Sequence, residues 1–157
     1  MVEQIKEKAI KNNIPIIQDE GLEFISNYIK ENNVMGVELL AQKVPELKDR
    51  FWIQIYGKQE YDTISELGFK NIILTVYSMS WEEKQNAEKL VEFAEKHLLI
   101  GITFPIELLE LIPDYLKTLK KAKVPLFVHT VNDTEIQREL FTAGVSGIYT
   151  DYGNLKK

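Results

Sequence analysis

Polar and aromatic side chains stand at the ends of several short apolar runs in this sequence. In parallel α/β folds, the carboxyl ends of the strands are where binding and catalytic groups collect. The residues at these predicted ends are Glu38, Gln54, Tyr56, Thr75, Tyr77, Thr103, His129, Thr130, Asn132, Thr150 and Asp151. Hydroxyl, amide and aromatic groups of this kind could line a pocket for a small polyol or a phosphate ester.

Each of the more reactive residues also has a structural interpretation. Glu38 stands in an apolar run, where a buried carboxylate needs a cation or several hydrogen-bond donors. His129 is either a pocket residue or a hydrogen-bonded core histidine. Asn132 or Asp133 could cap the next helix, and Asp151 could close the last turn. His97 stands near a helix end, where it would interact with the helix dipole.

Six apolar runs, of which most are continuous, indicate strands that are buried on both faces of a parallel sheet. They cover 34–40, 51–56, 71–77, 99–104, 124–131 and 146–150. Their alternation with helix-length segments predicts an α/β fold with about six parallel strands. No linker or low-complexity stretch interrupts the chain, so 1–157 is expected to be a single domain.

The segments between the runs carry helix signals. One helix is predicted over 81–98, and others over 61–67 and 132–143, ended by Gly68 and Gly144. Pro113 predicts that 105–123 forms two helical pieces. A further helix is expected over 20–33, before the first predicted strand, whereas 41–50 carries no clear signal.

Two architectures fit this pattern, a doubly wound open sheet and a (β/α)₈ barrel of about 250 residues. No G-x-G-x-x-G and no G-x-x-x-x-G-K follows any predicted strand. The absence of these loops argues against an open sheet that binds nucleotides, because such loops hold the phosphates of the nucleotide.

Composition excludes several kinds of site. The 157 residues contain no cysteine and two histidines, so thiolate and histidine-rich metal sites are excluded. Any metal would be bound by oxygen, as Mg²⁺ or Ca²⁺ is. The net charge of −5 argues against nucleic acid as a partner. No signal peptide and no run of the ~20 apolar residues needed to span a membrane is visible, so a cytoplasmic location is expected.

The pairing of V-H-T-V-N at 128–132 with G-V-S-G-I-Y-T-D at 144–151 resembles the last two strands of the glycerophosphodiester phosphodiesterase family. There the seventh strand typically ends in W-T-V-N and the eighth reads roughly G-V-D-G-I-I-T-D. His129 occupies the position at which the family usually has tryptophan. The resemblance extends over nearly the whole chain and implies an incomplete TIM-barrel-like fold with barrel strands three to eight. The resemblance aligns Glu38 with a metal ligand of the family and Leu40 with the lysine of the same family motif.

The family's catalytic motifs are missing. The sequence contains no H-R-G and no H-D, and no predicted strand ends in E-x-D. In the family these supply the catalytic histidines and two further metal ligands. One carboxylate holds Mg²⁺ or Ca²⁺ poorly, so a metal is expected only if the site is completed.

Three hypotheses follow. The first is the carboxyl-terminal part of a metal-dependent phosphodiesterase acting on a phosphodiester of lipid or cell-wall origin, inactive as this chain alone. The second is a non-catalytic binding or assembly module on the same scaffold. A six-strand open barrel exposes strand edges, which a homo-oligomer or a missing N-terminal segment would cover. The third is a small open-sheet protein that binds a small molecule.

Overall fold

The computed structural model describes the backbone of residues 16–17 and the residues 37–38, 40–43 and 45–152. Two compact units divide the chain. The first comprises Met1–Ile55 and Gln59–Ile72, and the second comprises Tyr56–Lys58 and Ile73–Lys157.

The first unit pairs two parallel strands, β1 (Ile16–Ile17) and β2 (Phe51–Ile55), with Ile16 opposite Phe51. A 3₁₀ helix, Pro45–Arg50, precedes β2, and helix α1 (Tyr61–Glu66) comes later. Phe51 and Phe69 pack edge to face, with ring centroids 6.3 Å apart. As predicted, α1 ends before Gly68, which has a φ of +88° that side chains rarely tolerate.

The strand predicted over 34–40 is wrong for its described residues, because residues 37, 38 and 40–43 are helical. Val37 and Ala41, four positions apart, are buried at 0% and 8% exposure, which is the spacing of one helix face. A short apolar run cannot distinguish a buried helix from a buried strand. The first strand lies instead at Ile16–Ile17.

The second unit repeats strand and helix in chain order. Its strands are β3 (Ile72–Thr75, of which Ile72 belongs to the first unit), β4 (Gly101–Pro105), β5 (Leu126–His129) and β6 (Gly147–Ile148). Its α-helices are α2 (Trp81–Gln85), α3 (Ala87–Lys96), α4 (Glu107–Leu111), α5 (Tyr115–Leu119) and α6 (Thr134–Thr142), and a 3₁₀ turn, Lys120–Ala122, follows α5. Each of β3, β4 and β5 pairs in parallel with the next strand.

The two faces of this sheet differ in what they contact. Ile102, Phe104 and Val128 are fully buried, and Phe104 packs edge to face on Tyr115 of α5, with centroids 5.6 Å apart. Side chains alternate between faces along a strand, so this is the face covered by helices. The opposite face carries Gly101, Thr103 and the residues in register with them.

Capping side chains fix the start of three helices, α2, α3 and α6. The single helix predicted over 81–98 is in fact two, because Asn86 leaves helical geometry and its side chain accepts a hydrogen bond from Lys89 N at 3.1 Å. Ser80 caps α2, and Asp133, rather than Asn132, caps α6. The two helical pieces predicted around Pro113 are confirmed as α4 and α5.

The fold is therefore α/β with parallel strands, an incomplete TIM-barrel-like arrangement. Five of the six predicted strands are confirmed, and the in-order pairing of β3 to β6 differs from the reversed order of a doubly wound sheet. The helix predicted over 20–33 lies outside the described residues. None of the helices in the described part of the chain is long and apolar enough to cross a bilayer.

Candidate functional site

Four rings gather at the carboxyl ends of the strands in the second unit. Tyr77 follows β3, Phe127 and His129 belong to β5, and Tyr149 follows β6. The His129 ring lies 5.6 Å from the Tyr77 ring and 6.0 Å from the Tyr149 ring, and Phe127 lies 6.5 Å from Tyr149, measured between centroids. All three pairs meet edge to face, a favourable geometry for aromatic rings. We call these four residues the aromatic cluster.

Strand register explains why the rings meet. Thr103 pairs with Phe127, and Phe127 with Gly147, so their side chains share one face of the sheet. The Phe127 ring covers both Gly101 and Gly147: a Cβ atom there would lie 2.8 and 2.7 Å from the ring. Two glycines therefore leave room for the ring that supports the cluster.

The cluster is partly open. Tyr77 is 55% exposed, and the other three rings are half-buried. Partly exposed rings at the ends of parallel strands can contact a ligand, for which they offer apolar faces and, in tyrosine and histidine, polar edges. The sequence predicted Tyr77 and His129 as pocket candidates, and the structure brings them together.

Asn132 joins the ends of β5 and β6. Its Oδ1 accepts hydrogen bonds from Thr150 Oγ1 at 3.1 Å and Asp151 N at 3.0 Å, and its Nδ2 donates to Asp151 Oδ2 at 2.9 Å. Val131 N donates to Tyr149 O at 2.9 Å beside it. We call Asn132, Thr150 and Asp151 the asparagine clip. The predicted candidates Asn132 and Asp151 thus lie together but bind each other.

Two buried threonines on β3 and β4 lie in register with Phe127 of the cluster. Thr75 and Thr103 face each other in register and are 4% and 1% exposed. Thr103 Oγ1 has no hydrogen-bond partner within the described residues. A buried hydroxyl without a partner is uncommon. Thr130, which the sequence also singled out, is exposed.

A lysine near the end of α2, Lys84, contacts the loop from β3 to α2, and sequence reasoning missed this contact. Lys84 Nζ donates to Tyr77 O at 3.2 Å, so the side chain folds back over this loop toward the strand end. Lys84 O accepts from the Tyr115 hydroxyl at 2.8 Å. Burial raises the pKa of that tyrosine, which keeps its hydroxyl protonated as a donor. The sequence placed Lys84 inside a longer helix and gave no sign of this contact.

The start of α2 is fixed by a capping box. Ser80 Oγ accepts from Glu83 N at 3.3 Å, and Glu83 Oε2 accepts from Ser80 N at 3.1 Å and Ser80 Oγ at 2.7 Å. These hydrogen bonds hold the pKa of the Glu83 carboxyl below its usual value, even though the group is exposed. The carboxylate next to Lys84 in the sequence is therefore engaged at the helix start.

The remaining predicted site residues are Gln54, Tyr56 and Glu38. Gln54 is buried in β2 of the first unit, at 6% exposure, and Tyr56, in the second unit, is half-buried. Glu38 is half-buried on a helix rather than at a strand end. In the described part of the chain, no group of three or more histidine, aspartate or glutamate side chains could hold a metal ion.

Two open clefts lie on the helical side of the second unit. One, of about 460 Å³, lies between the α2–α3 junction and the residues around Pro113. The other, of about 410 Å³, lies beside α5 and reaches Lys120 and Ala143. Tyr115 lines both of them. Neither is lined by the aromatic cluster.

The sequence matches no protein-family model, and no curated protein is significantly similar to it. Two solved structures resemble the fold. A glycerophosphodiester phosphodiesterase from Parabacteroides distasonis has a TM-score of 0.57 and 21% identity over 77% of this chain and 48% of its own. A protein assigned as a glycerophosphoryl diester phosphodiesterase from Silicibacter pomeroyi has a TM-score of 0.52 and 15% identity over 80% of this chain and 44% of its own.

This chain thus spans about half the length of the solved structures that it resembles. At these identities the likeness concerns the fold, and function depends on the residues that the fold carries. The resemblance expected from the last two strands is confirmed at that level: this chain has a glycerophosphodiester phosphodiesterase-like fold.

Proposed function

We propose that this chain is the carboxyl-terminal part of a glycerophosphodiester phosphodiesterase-like barrel, and that its strand ends form a wall of the pocket that contacts the ligand. The observation that carries the proposal is the aromatic cluster at the carboxyl ends of β3, β5 and β6. Ligand sites of parallel barrels lie at this end of the strands. A small phosphodiester or its polyol portion is the ligand that we propose.

We further propose that the chain alone does not hydrolyse phosphodiesters. Acid–base cleavage needs groups that exchange protons with the substrate. The chain has two histidines. His97 follows α3 and its ring lies against the Phe93 ring at an interplanar angle of 41°, with centroids 4.3 Å apart, whereas His129 belongs to the cluster. Dependence on Mg²⁺ or Ca²⁺, with Glu38 as one ligand, would belong to a barrel completed by further strands.

Isothermal titration of the purified chain with glycerophosphocholine tests the binding proposal. Replacing Tyr77 by alanine removes the most exposed ring of the cluster and should weaken binding by about threefold to tenfold. Phe141→Ala is the matched control, because Phe141 is 45% exposed on α6 and makes no ring contact with the cluster. Equal affinity in the wild type and Tyr77→Ala would contradict the proposal.

A non-catalytic binding or assembly module on the same scaffold is the second candidate. The asparagine clip favours it, because Asn132 and Asp151 are engaged with each other at 2.9 Å, which suits a structural role. Such a module would cover its strand edges by forming a homo-oligomer. Sedimentation velocity distinguishes the candidates: a stable oligomer without glycerophosphocholine binding would favour the module.

A further inference from the structure

We propose that Lys84 is the anion anchor of the aromatic cluster, and that its ammonium group binds a phosphate group of the ligand. This inference rests on the proposed function, which it deepens by naming the group that recognises the charge. The cluster itself offers aromatic rings, whereas a phosphate group needs hydrogen-bond donors and a positive charge.

The position of the ammonium group is the first argument. Lys84 Nζ lies 3.2 Å from Tyr77 O, and the Tyr77 ring lies 5.6 Å from the His129 ring. A lysine ammonium has three donors. The hydrogen bond to Tyr77 uses one, which leaves two for the oxygen atoms of a phosphate beside the Tyr77 ring.

The anchoring of Lys84 is the second argument. The buried Tyr115, which is 2% exposed, donates its hydroxyl to Lys84 O and fixes the last turn of α2. The capping box of Ser80 and Glu83 fixes the first turn. Because both ends of this short helix are held, less freedom is lost when Lys84 binds an anion.

The surrounding charges are the third argument. In the described part of the chain, Lys84 forms no salt bridge, unlike Lys121, whose Nζ lies 3.4 Å from Glu88 Oε1. The neighbouring Glu83 carboxylate accepts hydrogen bonds from Ser80 instead. An incoming phosphate therefore does not have to displace a carboxylate from Lys84.

These arguments specify the chemistry of the ligand. A phosphate monoester or diester would place an oxygen atom on Lys84 and its uncharged alcohol portion on the rings. A neutral polyol would contact the rings alone. Free phosphate shares the anchor, so the test must separate free phosphate from a phosphate ester.

The test is a chemical-shift titration of backbone amides at constant ionic strength, with inorganic phosphate, glycerol 3-phosphate and glycerol as probes. Wild type is compared with Lys84→Gln and Lys84→Arg, and Lys121→Gln is the matched control on the helical side. We expect glycerol 3-phosphate to bind more tightly than phosphate or glycerol, with shifts at Tyr77 and Lys84. Lys84→Gln should weaken glycerol 3-phosphate binding by about tenfold and leave glycerol binding unchanged. Lys84→Arg should retain it, which also shows that the charge, rather than the fold, is responsible.

Three results would overturn the inference. These are an unchanged affinity for glycerol 3-phosphate in Lys84→Gln, an equal loss in Lys121→Gln, and a wild type that binds glycerol as tightly as its phosphate ester. If Tyr77→Ala still weakens glycerophosphocholine binding in any of these cases, the proposed function is supported and only the proposed role of Lys84 is refuted. If Tyr77→Ala has no effect on glycerophosphocholine binding, the proposed pocket is refuted as well.

Discussion

The Phe127 ring lies directly against the backbone of Gly147, so closely that a methyl group on that glycine would approach Phe127 Cδ1 to 2.7 Å. Adding a single carbon atom at Gly147 should therefore have a large effect on the stability of the protein. Neither backbone strain nor a turn requires this glycine, and in open space an alanine at such a position would even be mildly stabilising.

Gly147→Ala should lower the free energy of unfolding by about 1–3 kcal/mol, because the ring must leave its position or the strands must separate. Urea unfolding followed by circular dichroism measures this. Phe127→Leu replaces the ring by a smaller aliphatic side chain, so Gly147→Ala should cost clearly less in that background. Equal costs in the two backgrounds would show that the ring is not the cause.

Tyr115→Phe should destabilise the protein by about 0.5–1.5 kcal/mol at neutral pH, because Lys84 O loses its buried donor. The same residue should make the protein sensitive to alkali. Burial raises its pKa above the ordinary value of 10.0, so its contribution is intact below pH 10 and falls as pH rises beyond that value. The difference in stability between Tyr115→Phe and wild type should therefore shrink from pH 9 to pH 11. A constant difference over that range would contradict this assignment.

Ser80→Ala should destabilise α2 mainly at pH values above the pKa of Glu83. Hydrogen bonds from Ser80 lower the Glu83 pKa from its ordinary value of 4.5. A lowered pKa means that the stabilisation is present above that value and is lost as pH falls through the folded-state pKa. Thermal unfolding at pH 7 and pH 3 should show a larger difference between variant and wild type at pH 7. Glu83→Gln should reduce this pH dependence, and an unchanged dependence would argue against the capping box as its source.

Asn132→Ala should open the asparagine clip and destabilise the protein by about 1 kcal/mol, since three largely exposed hydrogen bonds are lost together. Amide exchange should locate the effect, with faster exchange at Val131 and Tyr149 next to the clip. Asp151→Asn keeps an oxygen acceptor and should have a smaller effect. Unchanged exchange at Val131 in Asn132→Ala would show that the clip does not hold the strand ends.

The sequence predicted the strands that are buried on both sides, because a continuous apolar run between helical patterns has few other interpretations. It was wrong for the described residues of 34–40, because Val37 and Ala41 face the same side of a helix and so short an apolar run does not show a helical period. It was also wrong to continue one helix through Asn86, because a side-chain cap in mid-pattern is visible only in the fold.

Part of the candidate site followed from strand ends alone. Tyr77 and His129 were predicted to line one pocket, since the ends of parallel strands meet at one edge, and the structure places their rings 5.6 Å apart. Lys84 could not be predicted, because its role depends on a side chain that turns back seven residues to a carbonyl oxygen. The mutual hydrogen bonding of Asn132 and Asp151 likewise depends on the register of β5 and β6.

We propose that this chain binds a phosphodiester without cleaving it. Phosphorus NMR of glycerophosphocholine with the purified chain and Mg²⁺ or Ca²⁺ tests both parts in one sample, with EDTA as control. We expect the diester signal to broaden with increasing protein concentration and no phosphomonoester signal to appear. A growing monoester signal that EDTA abolishes would show a complete catalytic site, and an unchanged diester signal would show that the strand ends do not bind this ligand.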